Sequence, residues 1–385
     1  MAHILFRTAP RILMGAGCIE QIGPEVKALK GKKVLIVTDP GIIRAGLLER
    51  ILPPLKKAGI AAALFDRVEP DPHIEIVDQA LSRLKEEKCN AVIGLGGGSS
   101  LDIAKLAAAM AVNPGHISDY FGVDLLVRPG LPLICIPTTA GTGSEVTPIA
   151  ILSDAAERLK KGVVSSHLLP GLALLDPLLT LGVPPAVTAF TGMDAMIHAI
   201  EAYTSVNANG LTDHLAFRAI ELTSGNILTA YARGEDLNAR SKMLEGSLLA
   251  GMAFANAGVT AVHAFAYPLG GEFHHIPHGL ANSVMLPHVL RFNMLGNLPK
   301  FADVASALGV AAEELTDRQA AEEGLEVIEE LIADLEIPSR LRDLQVPEEA
   351  IPKMAQGVMK VTRLLANNPR RITLQDAERI YRNAW

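Results

Sequence analysis

The sequence predicts an α/β domain built on a parallel sheet, followed by an all-helical domain. Three observations carry that prediction. Across the first half, short apolar or β-branched runs alternate with amphipathic helical stretches, the βαβα pattern of a parallel sheet covered by helices. Beyond Asp176-Pro177 and the pair Pro184-Pro185 the strand signals stop, and helical periodicity alone continues. The length of 385 residues agrees with two domains, since one domain commonly takes roughly 150 residues. The boundary is placed near residue 185, giving 1–185 as the α/β part and 186–385 as the helical part.

Taken in order, the strand signals are Lys33–Thr38, Ala61–Phe65, Ala91–Leu95 and Leu133–Ile136, each of strand length and bounded by turn residues. Between the second and third, Ile76, Val77, Ala80, Leu81 and Leu84 recur at steps of three and four with charges on the other face, so Ile74–Glu87 reads as a surface helix. In the second half Ala186–Ser205, Thr212–Ala232, Asn238–Ala253, Leu298–Leu308, Ala320–Leu335 and Leu374–Asn383 read as helices. The stretch Gly246–Gly271 carries no formal charge over 26 residues and is long enough to span a bilayer. Asn256, Thr260, His263, Tyr267, Pro268 and five glycines interrupt it, so it is expected to be a buried helix pair beside a polar site and not a membrane span.

Composition narrows the function classes. Hydrophobic residues make up 49% and charged residues 20%, which excludes disorder. Lys and Arg number 35 against 42 Asp and Glu, a net charge of −7, and no basic run of five exists, so nucleic acid is not an expected partner. Cys18, Cys89 and Cys135 are far apart with no CxxC spacing, which argues against disulfides and thiolate metal sites and fits a cytoplasmic location. Arg7 and Arg11 interrupt the apolar N-terminal segment, so no export signal is expected.

A nucleotide site is predicted where Val92-Ile93-Gly94-Leu95-Gly96-Gly97-Gly98-Ser99-Ser100-Leu101-Asp102 runs from a strand through glycines into a helix. Glycines let the backbone approach a pyrophosphate, and a helix N-terminus meets its charge with free N–H groups. The loop departs from the standard dinucleotide fingerprint because Ser99 replaces the third glycine and the predicted strand is not the first. Ser99 and Ser100 are expected to cap the helix. A second loop, Pro137-Thr138-Thr139-Ala140-Gly141-Thr142-Gly143-Ser144-Glu145, follows the next strand and offers hydroxyls and glycines to a ligand. Asp39, after the first strand, is placed either to accept hydrogen bonds from a ribose, which favours NAD over NADP, or simply to cap a turn before Pro40-Gly41.

The second half carries a candidate metal site. Asp194 and His198 are four residues apart in an otherwise apolar helix and so share one face. A buried carboxylate must be paired or coordinated. His263 and His278 are the other candidates, with His274 and His275 ranked lower because Gly279 would let the chain at His278 approach a metal closely. Carboxylate and imidazoles without thiolate suit Fe(II), or alternatively Zn(II).

Four ordered motifs together resemble the iron-containing (group III) alcohol dehydrogenases: Gly96–Asp102, Pro137–Glu145, Thr191–Glu201 with its Gly192-Met193-Asp194-Ala195-Met196-Ile197-His198 core, and His278-Gly279-Leu280-Ala281-Asn282. The resemblance spans essentially the whole chain. It implies a Rossmann-like dinucleotide-binding domain and an all-α domain, the dehydroquinate synthase-like architecture, with a divalent metal in the cleft between them and commonly a homodimer. It implies Asp194, His198, His263 and His278 as metal ligands, and Asp39, Gly97, Gly98, Ser99, Thr138, Thr139, Ser144 and Lys160 as nucleotide contacts. From the motifs themselves, Gly96, Asp102 and Thr142 join the expected nucleotide-binding residues. Tyr267 stands where many members of that family carry His, near the nicotinamide; a phenol with pKa ~10 accepts a proton less readily at neutral pH than an imidazole at ~6.5.

The expected reaction is reversible hydride transfer between a primary alcohol or diol and its aldehyde, with NAD as the partner and the metal as Lewis acid. The substrate is a small molecule, and Phe254 is a residue that either lines its pocket or packs the core. A polyol or hydroxy-acid dehydrogenase on the same fold, and a noncatalytic nucleotide- or metal-binding module, are the alternatives.

Overall fold

The computed structural model describes residues 3–154 and 159–385. Its contacts divide the chain into one unit spanning Arg7–Val183 and another made of Pro184–Trp385 together with the N-terminal residues up to Phe6.

In the first unit a six-stranded sheet is formed by β1 (Ile12–Met14), β2 (Lys33–Val37), β3 (Ala61–Phe65), β4 (Ala91–Gly96), β6 (Leu133–Pro137) and β9 (Leu172–Leu175), and every pairing in it is parallel. The spatial order is β1-β9-β6-β4-β2-β3. Helices α1 (Ile22–Ala28), α2 (Pro40–Arg44), α3 (Leu48–Lys57), α4 (Ile74–Glu86) and α5 (Gly98–Met110) alternate with the strands. Strand residues point alternately to the two faces. Leu35 and Val37 therefore join α4 and α5 in one core, whereas Val34 and Ile36 join α1 and α3 in the other. A sheet covered on both faces needs near-continuous apolar strands, which is why Val34, Leu35, Ile36 and Val37 are all buried. Each such side chain contributes about 1.5–3 kcal/mol.

The four strands expected from sequence are present, and the structure adds others. Strands β1 and β9 complete one side of the main sheet, and β5 (Gly122–Val123), β7 (Ile149–Asp154) and β8 (Leu159–Val164) form a second small sheet in the order β5-β8-β7. These were not legible locally because β1 is three residues long and β8 carries Lys160 and Lys161.

A buried polar node joins α5 to the segment after β6. The ammonium of Lys105, 1% exposed, donates to Ser144 Oγ at 2.7 Å, Thr147 Oγ1 at 3.3 Å and the Ile149 carbonyl at 2.8 Å. Asp102 accepts from Ser144 Oγ at 2.6 Å and from the Ile151 N–H at 2.9 Å. Glu145 is buried beside this node, and its Oε1 has no hydrogen-bond partner among the described residues.

The second unit contains α6 (Pro185–Thr204), α7 (Gly210–Ser224), α8 (Ile227–Ala232), α9 (Leu237–Ala257), α10 (Ala261–Glu272), α11 (His278–Asn293), α12 (Leu298–Ala307), α13 (Asp317–Asp334), α14 (Ile351–Lys360), α15 (Thr362–Leu365) and α16 (Leu374–Ala384). Helix α6 is nearly all buried from Thr188 to Thr204, with α7, α8, α9, α11 and α12 packed on it. The helix expected over Thr212–Ala232 is broken into α7 and α8, because the Asn226 side chain donates to the Leu222 carbonyl and caps the end of α7. The uncharged stretch covers the second half of α9 and all of α10 except Glu272, and the two helices meet at a bend of 100°. Among the described residues no single helix is long and apolar enough to cross a membrane.

Burial pushes the Glu145 carboxyl up to about 7 from an ordinary value of 4.5. The neutral acid is the form the fold tolerates, so the contribution of this one group to stability is full below pH 4.5 and is lost as pH rises through 7. Glu145→Gln should remove that dependence. In urea unfolding series from pH 5 to 8.5 the variant is expected to gain roughly 1–3 kcal/mol over the parent at the alkaline end, and parallel curves at every pH would contradict it.

Candidate metal centre and nucleotide-binding loops

The metal-ligand candidates come from three helices. Asp194 and His198 lie on α6 four residues apart, His263 is the third residue of α10, and His278 is the first residue of α11. Carboxylate and ring-nitrogen atoms of Asp194, His263 and His278 all lie within 4.8 Å of one another. The His198 ring stacks on His263 with centroids 4.6 Å apart and on Phe254 at 4.3 Å. It is beside the cluster, and Phe254 packs as a buried wall against it.

Glycine 279 acts differently from the expectation. His278 opens a helix instead of a loop, and a Cβ at Gly279 would collide with the backbone carbonyl of Phe190 on α6. The missing side chain brings α11 against α6, which carries His278 to Asp194. His274 and His275 are exposed outside the cluster, and His275 Nε2 is 3.0 Å from the Leu344 carbonyl.

Glu201 is the residue that reading the motif for ligands missed. It lies on α6 at 1% exposure, seven residues after Asp194, and its carboxylate accepts from Thr260 Oγ1 at 2.6 Å and from the Val262 N–H at 2.7 Å. Those donors open α10, so the charge is held at a helix N-terminus with the dipole in the favourable sense. Its other oxygen takes His263 Nδ1. That contact leaves Nε2 of His263 turned toward Asp194, at 3.7 Å from Oδ1, and a carboxylate behind an imidazole is how proteins orient a metal-binding histidine. Its spacing from His198, three residues on the same helix, was the available signal.

Asn282 closes the far side. Its Nδ2 donates to Asp194 Oδ1 at 2.7 Å and is 3.2 Å from Nε2 of both His263 and His278, while its Oδ1 is buried without a partner among the described residues. One amide group thus stands before three converging acceptors, a donor-poor, acceptor-rich arrangement that fits a cation. Burial opposes ionisation of Asp194, but His198, His278, His263 and the Asn282 amide outweigh it and hold its carboxyl below the ordinary 3.8. Tyr267 flanks the cluster, its ring centroid 6.2 Å from that of His278.

In the other unit, β2 and β4 are neighbours whose onward connections run to opposite sides of the sheet, a switch point at whose carboxyl ends ligands bind in open α/β sheets. Asp39 follows β2 and the glycine loop follows β4. Asp39 is a cap: Oδ1 accepts from the N–H groups of Gly41 at 2.8 Å and Ile42 at 3.1 Å. Its Oδ2 receives Ser100 Oγ at 3.2 Å. Gly96 has φ +145°, and a Cβ there would lie 2.7 Å from Ser100 Oγ, so only glycine permits the turn. A Cβ on Gly97 would meet nothing nearer than Thr139 Oγ1 at 3.5 Å, which leaves open space before the helix.

The expected serine caps are absent. Gly97 is the N-cap of α5 with no side-chain hydrogen bond, Ser99 lies in the first turn, and Ser100 is engaged with Asp39. The helix N–H groups are thereby left without a side-chain cap, which suits an anion better than a capped end does. Thr138 is buried, with its N–H on the Gly96 carbonyl at 3.0 Å, and Thr142 Oγ1 accepts from the Ser144 N–H at 3.3 Å. Asp102 and Ser144 are saturated by the node around Lys105, so they hold the second loop in place. Lys160 pairs with Asp71 at 2.6 Å, where Asp71 has φ 49°.

Residues 9–177 match the iron-containing alcohol dehydrogenase family model, and residues 188–385 match the C-terminal model of the Fe-containing alcohol dehydrogenase family. The chain is 43% identical over 388 residues to long-chain-alcohol dehydrogenase 1 of Geobacillus thermodenitrificans, covering 100% of this chain and 97% of that protein. It is 37% identical over 379 residues to an NAD-dependent methanol dehydrogenase of Bacillus methanolicus, covering 98% and 99%. A crystal structure of 1,3-propanediol oxidoreductase superposes with a TM-score of 0.97 at 40% identity, covering 100% of both chains. On whole-length similarity in sequence and structure, this chain belongs to the iron-containing alcohol dehydrogenase family.

Proposed function

We propose that the chain catalyses reversible, NAD-linked hydride transfer between primary alcohols or diols and their aldehydes, using a divalent metal held by Asp194, His198, His263 and His278. The observation that carries the reading is the buried convergence of Asp194, His263 and His278 with Glu201 behind His263, in a chain whose full-length relatives are named for alcohols. The ligand set suits Fe(II), with Zn(II) as the alternative.

A divalent cation bound there supplies the Lewis acidity that makes an alcohol O–H acidic near neutral pH, and NAD supplies the hydride acceptor. The protein's own residues do the placing. Glu201 keeps the proton of His263 on Nδ1 and its Nε2 lone pair toward the cation. Phe254 and the apolar faces of α6 and α10 exclude water, which strengthens every electrostatic contact inside. Tyr267 offers a hydroxyl beside His278 for a hydrogen bond to the reacting oxygen. Gly96, Gly97, Gly98, Ser99, Thr138, Thr139 and Thr142 form the phosphate-facing loops, with Asp102 and Ser144 holding their shape and Lys160, paired with Asp71, as a further nucleotide contact. Asp39 keeps one oxygen as a cap and presents negative charge to a ribose, which favours NAD over NADP.

A cytoplasmic location and a homodimer belong to the same proposal. The dimer is supported by β1, an open edge strand of the main sheet with Ile12 exposed.

The direct test is NADH formation by metal-stripped protein reconstituted anaerobically with Fe(II), assayed on primary alcohols and diols beside Asp194→Ala. The parent should turn over only with metal, and Asp194→Ala should lose both metal content and activity; metal-independent turnover would refute the reading. Glu201→Gln presents an N–H to His263 Nδ1 where an acceptor is needed. Its metal affinity should fall roughly 10–100-fold in competition with a chelator, and an unchanged affinity would remove Glu201 from the site. Asp39→Asn keeps the cap and removes the charge. The ratio of kcat/KM for NADP to that for NAD should rise by roughly tenfold, and no change in the ratio would mean Asp39 does not face the ribose.

A further inference from the structure

In the helical unit a cavity of about 860 Å³ opens between α11, α13, α16 and the segment at Ser339-Arg340. None of Asp194, His198, His263 or His278 lines it. Its walls carry four guanidiniums, Arg291, Arg340, Arg370 and Arg379, against one carboxylate, Glu329, in a chain whose net charge is −7. Arg291 is paired with Glu329 at 2.9 Å, and Arg379 with Asp376 at 2.6 Å, both pairs partly exposed and hence weak. Arg340 makes no side-chain hydrogen bond or ion pair among the described residues. Arg370 is fixed, donating to the Phe292 carbonyl at 2.8 Å with its guanidinium 3.9 Å from the Phe292 ring centroid. Four guanidiniums against Glu329 and Asp376 leave an excess of two positive charges among the described residues of this concavity.

The floor is apolar. Phe292, Ile332 and Ile380 are buried beneath the arginines, and Leu295 is 52% exposed at the rim. His288 lines the wall, and its imidazole is pushed down to about 4, chiefly by burial and then by Arg291 and Arg340. It is therefore neutral near pH 7 and adds no charge, but it registers the positive field of the pocket. Converging guanidiniums repel one another unless an anion joins them, and their planar forks match phosphate and carboxylate oxygens in pairs. The volume exceeds what an inorganic ion fills, and the apolar floor asks for carbon.

We propose that this cavity binds a small organic anion carrying at least two negative charges, its oxygens held by Arg291, Arg340 and Arg379 and its carbon body on the floor beside Phe292. Val284, Pro287 and Arg291 lie on a different face of α11 from His278 and Asn282, at 100° per residue. The ligand touches the helix that supplies a metal ligand without reaching the metal ligands, so it is not the substrate of the metal centre.

The test is calorimetric titration of the metal-loaded protein with fructose 1,6-bisphosphate, succinate and inorganic phosphate at low (~50 mM) salt, where exposed charges are least screened. The bisphosphate is expected to bind at one site per chain, to remain bound at saturating NAD, and to weaken about tenfold in Arg340→Gln and further in Arg291→Gln/Arg340→Gln. Both arginines are exposed, so unchanged melting temperature, metal content and NAD affinity should confirm that the variants are folded. Binding of succinate in place of the bisphosphate, with the same arginine dependence, supports the site and assigns its source to carboxylates. Displacement by NAD, equal affinity in both variants, equally tight inorganic phosphate, or no saturable heat from either dianion would overturn the proposal.

Discussion

The helical unit depends on one buried carboxylate. Glu201 is 1% exposed, and an ion removed from water that far is tolerated only where donors surround it. Its donors are Thr260 Oγ1, the Val262 N–H and His263 Nδ1. The first two start α10 immediately after the sharp bend from α9, and the third belongs to the side chain that faces Asp194. One charge therefore sets where a helix begins, how that helix meets α6 and which nitrogen of His263 faces Asp194. Losing the carboxylate would leave three buried donors unmatched, which is why the constraint reaches well beyond one side chain.

The α/β unit is organised by the opposite charge. Lys105 is enclosed in α5 and reaches Ser144, Thr147 and the Ile149 carbonyl, so three successive parts of the chain after β6 are tied to the helix that begins at the glycine loop. Asp102 completes the node from one turn earlier. The two loops that face the switch point are thus held in mutual register by groups that need touch no ligand. Asp39 has a comparable double duty, because the oxygen that caps α2 and the one that receives Ser100 keep β2 and β4 ends in register. Glu145 is the cost of packing this motif tightly, a carboxyl with one oxygen unpartnered among the described residues, in a site where the neutral form is favoured.

Positive charge is distributed unevenly over a chain that is acidic as a whole. The arginines around the α11–α13–α16 cavity come from four separate stretches of sequence and form no basic run, so a scan for charge clusters passes over them. Their convergence on a shared concavity, together with the apolar floor, makes the cavity a different chemical environment from the acceptor-rich metal centre on another face of the same helix.

By itself the sequence determined the βαβα order, the change to helices near residue 185, the glycine turn, and the candidacy of Asp194, His198, His263 and His278. Those follow from local physics: period-two and period-3.6 patterning, the backbone freedom of Gly96, and the i,i+4 spacing that puts Asp194 and His198 on one helical face. Only the tertiary structure decided that Asp39 caps α2, that Ser99 and Ser100 do not cap α5, that Gly279 serves helix packing against Phe190, and that Glu201 stands behind His263. Each of these is a contact between residues far apart in sequence or a choice between partners of equal chemistry. Local pattern can shortlist such residues, as the spacing of Glu201 from His198 does, but which donor meets which acceptor is settled by how the helices and strands pack.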